Sequence, residues 1–173
     1  MTHQLNFIYS DSDWIAPAEY PDLSKAKEIA IDLETKDPNI KTKGPGWATF
    51  DGHIVGFAVA AFDQSWYFPI AHDAGGNMDL SITTAWMQDL LKTDATKIFH
   101  NASYDVGWLL TNGFEIRGKI VDTMIAAALI NENRFSFSLN ACAKDYLGEI
   151  IIETFLNEKA KEWGIDPKAD LWR

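Results

Sequence analysis

Three stretches with the two-residue period of a β-strand come first in this chain, and stretches with helical spacing alternate with short strands after them. That order restricts the fold to a mixed sheet flanked by helices, an α/β chain, because neither an all-helical nor an all-β protein carries both periods in this sequence. Glu28 to Leu33 sets Ile29, Ile31 and Leu33 on one side of a strand, with Ala30, Asp32 and Glu34 continuing the other side. His53 to Ala61 and Ser65 to Ile70 come next as strands joined through Asp63 and Gln64, which predicts an antiparallel meander. Between them, Lys36 to Gly46 reads as a Gly/Pro/Lys loop. Met78 to Leu91 repeats Leu80, Trp86 and Leu90 at helical intervals, Thr96 to Phe99 is a short strand, and Ala102 to Asn112 is a helix stopped by Gly113. Gly118 to Val121 reads as a fifth strand, and Asp122 to Ile130, Ser138 to Leu147 and Ile152 to Trp163 read as helices.

With 173 residues and 47% hydrophobic side chains, the chain can bury one sizeable core, and it holds no repeat that would divide it. We read residues 1–27 as an N-terminal arm, with Trp14, Pro17 and Pro21 wrapping onto that core, and 28–173 as the domain itself. The most sustained apolar stretches, His53 to Phe62 and Thr123 to Ile130, fall short of the roughly 18 residues a membrane span requires, so no membrane is expected. Cys142 alone cannot form an internal disulfide, and Met1 to Ser10 lacks the pattern of a secretory leader, so a cytoplasmic location is expected.

A net charge of -10 excludes nucleic-acid binding through a broad basic surface. An acidic chain still meets phosphate where divalent metal neutralises clustered carboxylates, which makes the placement of the acids the central question. Asp32 and Glu34 stand two apart on one strand, so their side chains leave the same face, roughly 6 to 7 Å apart at the backbone. Acid-x-acid spacing also arises from composition alone, as in Asp11 and Asp13. The position of Asp32 and Glu34 is what distinguishes them, since like charges at the end of a buried strand are costly without a cation. Asp105 lies on the helix after His100 and Asn101; it fits a first-turn acid, with Asn101 as the cap, or a third carboxylate brought to the same point. Three converging carboxylates suit two divalent ions in phosphodiester hydrolysis. His53, His72 and His100 read as structural or loop residues, and Trp47 as either a base-stacking platform or core.

Ile29-Ala30-Ile31-Asp32-Leu33-Glu34-Thr35, His100-Asn101-Ala102-Ser103-Tyr104-Asp105, Asp122-Thr123-Met124, Ser138-Leu139 and Tyr146-Leu147-Gly148 occur in that order. Over about residues 22–150, the chain in this way resembles the DEDD (DnaQ-like) 3′→5′ exonuclease domain of family A DNA polymerases. The lead around Trp14 and Pro21, and the loop His72 to Asn77, are similar to bacteriophage versions. The resemblance implies an RNase H-like mixed sheet and a proofreading nuclease that uses two divalent ions, Mg²⁺ or Mn²⁺, on a single-stranded DNA 3′ end. It implies that Asp32 and Glu34 hold the first metal, and that Asp32 and Asp105 hold the second. It also implies that Asn101 and Tyr104 face the terminal nucleotides while the backbone from Leu33 to Thr35 lines the last base. A polymerase domain on the same full-length chain is the implied partner. The family's third motif, a Tyr or His four or five residues before a fourth acid, has no match: Tyr146 precedes Ile150, and Asp166 and Asp170 lack the upstream residue. We therefore expect a domain truncated before that motif and poorly active alone. The alternatives are an RNase D-like RNA 3′-end exonuclease and a non-catalytic exonuclease-fold scaffold of a polymerase.

Overall fold

Alternating burial in the first strand determines how everything else is arranged. In the computed structural model, which describes residues 16–73, 75–149 and 154–164, β1 (Glu28–Lys36) buries Ile29, Ile31 and Leu33 against one side of the sheet. β2 (His53–Ala61) pairs antiparallel with β1, and β3 (Gln64–Pro69) pairs antiparallel with β2, which is the expected meander. β4 (Thr96–Phe99) lies parallel to β1 on its other side, and β5 (Ile120–Asp122) lies parallel to β4. The sheet order is therefore β3-β2-β1-β4-β5.

Between β1 and β2 the expected loop contains two single turns of helix, α1 (Ile40–Lys43) and α2 (Gly46–Thr49). Each is only four residues long, too short to show a hydrophobic period. The longer helices are α3 (Leu80–Leu91), α4 (Ala102–Thr111), α5 (Thr123–Ile130), α6 (Leu139–Leu147) and α7 (Thr154–Trp163). Asp79, Asp122 and Ser138 lie just outside α3, α5 and α6, and their side chains accept from the first-turn backbone N–H groups. The expected starts of α5 and α6 are these cap residues, and that of α3 lies one residue before its cap. The first two residues of the expected last helix lie outside the described residues.

Met87, Leu90 and Leu91 of α3, together with Trp108 and Leu109 of α4, join the β1 residues, Phe57, Val59 and Phe68 in one core. Of the expected N-terminal arm, residues 1–15, Trp14 among them, lie outside the described residues. The remainder of the arm packs onto the core: Leu23 is buried, and the Tyr20 ring lies 5.6 Å from Phe68 and 5.3 Å from Trp86. No helix of the described residues is long and apolar enough to cross a membrane.

Gly107 sets the distance between α4 and the β1-β2 connection. A Cβ there would stand 2.4 Å from the Trp47 indole. Trp47 thus packs as core, the second of its two expected roles. Gly to Ala in an open helix gains about 1 kcal/mol, but overpacking against a rigid ring costs about 1 to 3 kcal/mol. We expect Gly107→Ala to lower Tm by several degrees in thermal denaturation. A raised Tm would show that the indole yields.

Candidate functional site

β4 pairs with β1 only over Glu28–Ala30, so the same edge of β1 runs on past the end of its parallel neighbour. The chain leaves β4 at Phe99, turns through His100 and Asn101, and enters α4. This turn carries Asp105 to the exposed edge of β1, where the Leu33 N–H donates to its carboxylate at 3.0 Å. A backbone donor that longer strand pairing would have satisfied is satisfied by an acid instead. Leu33 lies between Asp32 and Glu34, so the bond brings the helix acid to the strand pair.

The electrostatics of the three agree with that placement. Asp105 is buried, and burial, the Asp32 charge and the Glu34 charge push its carboxyl up to about 7 despite the Leu33 bond. Burial, then the Asp32 charge, also raises Glu34 to about 7. The Asp32 carboxyl is raised by its partly enclosed setting, opposed by His100, yet the residue as a whole is open to solvent. Water therefore screens its charge more than it screens the other two. Asp32 also borders a cleft of about 340 Å³ on this sheet face, floored by Ala30, Ala58 and Ala60 and walled by His100 and Thr123.

Of the other expected site residues, Leu33 has its side chain in the core and its N–H on Asp105. Thr35 and Tyr104 meet each other, hydroxyl to hydroxyl at 2.7 Å, and Tyr104 donates onward to Asp37 at 3.0 Å. Burial pushes the Tyr104 phenol up. Asp37 is buried and takes the Gly46 N–H at 2.9 Å, so a chain of hydrogen bonds ties the end of β1 to α2 and α4. Sequence reasoning missed Asp37; an acid just before Pro38 looks like ordinary loop.

Asn101 is exposed, with φ 68 and ψ 52, a left-handed conformation that Asn tolerates, and its side chain caps nothing. The α4 cap comes from Asp122 instead, whose carboxylate takes the N–H groups of Asn101 at 3.1 Å and Ala102 at 2.8 Å as well as Met124 at 2.9 Å. Burial raises the Asp122 carboxyl, but these donors outweigh it and hold it below its usual value. Asp122→Ala should cost about 1 to 2 kcal/mol in urea denaturation at neutral pH, the usual loss at a helix cap. Because the folded carboxyl is depressed, its contribution is present above the ordinary aspartate range and fades as pH falls through the folded value. A neutral effect would mean water replaces the carboxylate. His100 has both ring nitrogens engaged, with Thr123 and with the Phe137 carbonyl, each at 2.9 Å, which makes it structural as expected.

Residues 18–172 match the sequence pattern of the 3′-5′ exonuclease family associated with family A DNA polymerases. A DNA-directed DNA polymerase of Pseudomonas phage M6 is 34% identical over 96% of this chain, and the chain spans 26% of that protein. The fold is similar to Brucella melitensis NrnC with bound Mg²⁺, with TM-score 0.55 and 16% identity, covering 86% of this chain and 81% of that one. Escherichia coli RNase D gives TM-score 0.54 and 18% identity, covering 87% of this chain and 37% of that one. The expected RNase H-like architecture is thereby shown.

Proposed function

We propose, from the fact that this chain belongs to the 3′-5′ exonuclease family, that Asp32, Glu34 and Asp105 form the centre at which it hydrolyses the terminal phosphodiester of a single-stranded DNA 3′ end. The observation that carries this reading is the Leu33 N–H to Asp105 bond, which brings a buried acid from α4 against the strand pair on β1. The phage relative is a DNA polymerase of which this chain spans about a quarter. A polymerase domain on the same full-length polypeptide, working in the cytoplasm of an infected cell, is therefore part of the proposal.

Mg²⁺ or Mn²⁺ is the cofactor that the donor set suits. Its oxygens are all carboxylate, which hard cations prefer, and burial and mutual repulsion leave Glu34 and Asp105 in need of positive charge. Among the described residues, no group of three His, Cys, Asp or Glu side chains is gathered closely enough to hold a metal ion by itself. A site of this kind completes its coordination with water and substrate phosphate, as Mg²⁺ sites ordinarily do. The ions, when bound, would supply an activated water and a charge clamp on the scissile phosphate. Asp32, Glu34 and Asp105 would hold them. Leu33 keeps the Asp105 carboxylate turned toward the strand, and the Thr35-Tyr104-Asp37 chain fixes the floor beside it.

The test is Mn²⁺-dependent release of nucleoside monophosphates from 3′-labelled single strands, by this chain and by the full-length polypeptide. DNA should be degraded in preference to RNA. Preference for RNA would favour the RNase D-like alternative, and inertness of both polypeptides toward either substrate would favour the scaffold.

A further inference from the structure

Strand alternation places Tyr67 of β3 on the same sheet face as the carboxylates, because Tyr67 pairs with Ala58 and Ala58 pairs with Asp32. Glu34 stands opposite Gly56 on β2. A Cβ at Gly56 would lie 2.0 Å from the Tyr67 hydroxyl oxygen, so the phenol lies across β2 where that strand has no side chain. A glycine inside a strand weakens it, and here it admits a close approach. The Tyr67 oxygen hydrogen-bonds His72 Nε2. His72 is itself clamped by Asn77, which accepts its N–H and donates to its carbonyl, both at 2.8 Å. In the tautomer that carries the proton on Nε2, His72 donates to the phenolic oxygen, and the phenolic hydrogen turns away from the imidazole on the sheet face that carries Asp32 and Glu34.

A phosphodiester anion approaching three carboxylates needs hydrogen-bond donors, and carboxylates only accept. The nearby His100 has both nitrogens engaged. Burial, then the charges of Glu34 and Asp32, push the Tyr67 phenol far up, so it remains a neutral donor at any working pH. We propose that Tyr67, held by His72 over Gly56, is a substrate-binding residue that donates its phenolic hydrogen to a non-bridging oxygen of the terminal phosphodiester. This role rests on the exonuclease reading of the site.

The experiment measures binding of a short single-stranded DNA in Ca²⁺ to wild type, Tyr67→Phe and Gly56→Ala, the last displacing the hydroxyl without removing it. A hydrogen bond to a charged oxygen predicts about tenfold or more weaker binding in both variants. The loss should disappear in the methylphosphonate diastereomer whose methyl group replaces the contacted oxygen, and persist at least in part in the other, which keeps that oxygen as an acceptor. Tyr67→Phe should also raise KM in Mn²⁺ by a similar factor. Wild-type affinity in Tyr67→Phe, or an equal loss with both methylphosphonate diastereomers, overturns this role for Tyr67 and leaves the exonuclease reading intact. A wild type that neither binds a 3′ end with metal nor releases monophosphates overturns both.

Discussion

Asp105→Asn is expected to lower exonuclease activity by about 10² to 10³ and, in EDTA at pH 8, to melt at a higher temperature than wild type. The first effect comes from removing a charged group where the reaction needs it, a change that typically costs two to three powers of ten. The second comes from the same charge. Asp105 is buried beside Asp32 and Glu34, and its carboxyl is pushed up to about 7 by burial and their charges, so at pH 8 it is ionised against the preference of the fold. Asn keeps an oxygen for the Leu33 N–H and deletes the repulsion. A gain of about 1 to 3 kcal/mol is expected, which for a chain of this size is roughly 2 to 10 °C. Stability and function are thus opposed at one atom group, as they are where a site stores strain. Full activity in this variant would remove Asp105 from the centre, and a lower melting temperature in EDTA would show that the acids do not crowd.

That opposition is only partly legible in the sequence. Period-two alternation identifies Asp32 and Glu34 as sharing a face, and helical spacing places Asp105 on α4. The join between them depends on the register of β4, which pairs with β1 only over Glu28–Ala30 and leaves the Leu33 N–H to Asp105, and no local pattern records that register. β1 also runs on through Thr35 and Lys36, past its expected end at Leu33, because β2 continues to pair with it through a bulge at Glu34/Thr35. Asn101 illustrates the limit of local capping rules. Its composition and position suit a cap, but Asp122, twenty-one residues on, arrives through the sheet and takes the donors. Lys97 makes the same point from the other side: a lysine in a short strand reads as exposed, yet it is fully buried and donates to the Arg117 carbonyl at 2.9 Å and to Thr93. Burial lowers its pKa, with Asp94 opposing. Tyr67 can be placed beside the acids only once the β2-β3 register is known.

Mn²⁺ should raise the melting temperature of this chain, and by more at pH 8 than at pH 5. Glu34 and Asp105 have folded values of about 7 against ordinary values of 4.5 and 3.8. The folded state therefore holds more protons than the unfolded state between about pH 4 and pH 7. Where the native form binds the extra protons, stability falls as pH rises, so the metal-free protein should lose stability across that window and level off above it. A divalent ion competes with those protons: below about pH 7 it must displace them, and above about pH 7 it finds the carboxylates already ionised. At a free concentration of about 100 Kd, binding to the folded state alone contributes about 2.7 kcal/mol, or roughly 5 to 10 °C here. Asp32→Ala should remove most of this response, since that residue borders both other acids and remains open to solvent. Calorimetry at about pH 6 in buffers of different ionisation enthalpy would report the displaced protons directly. Melting indifferent to millimolar Mn²⁺ across the whole pH range would mean that the carboxylates do not bind metal without substrate phosphate, and the order of assembly would then run from DNA to metal.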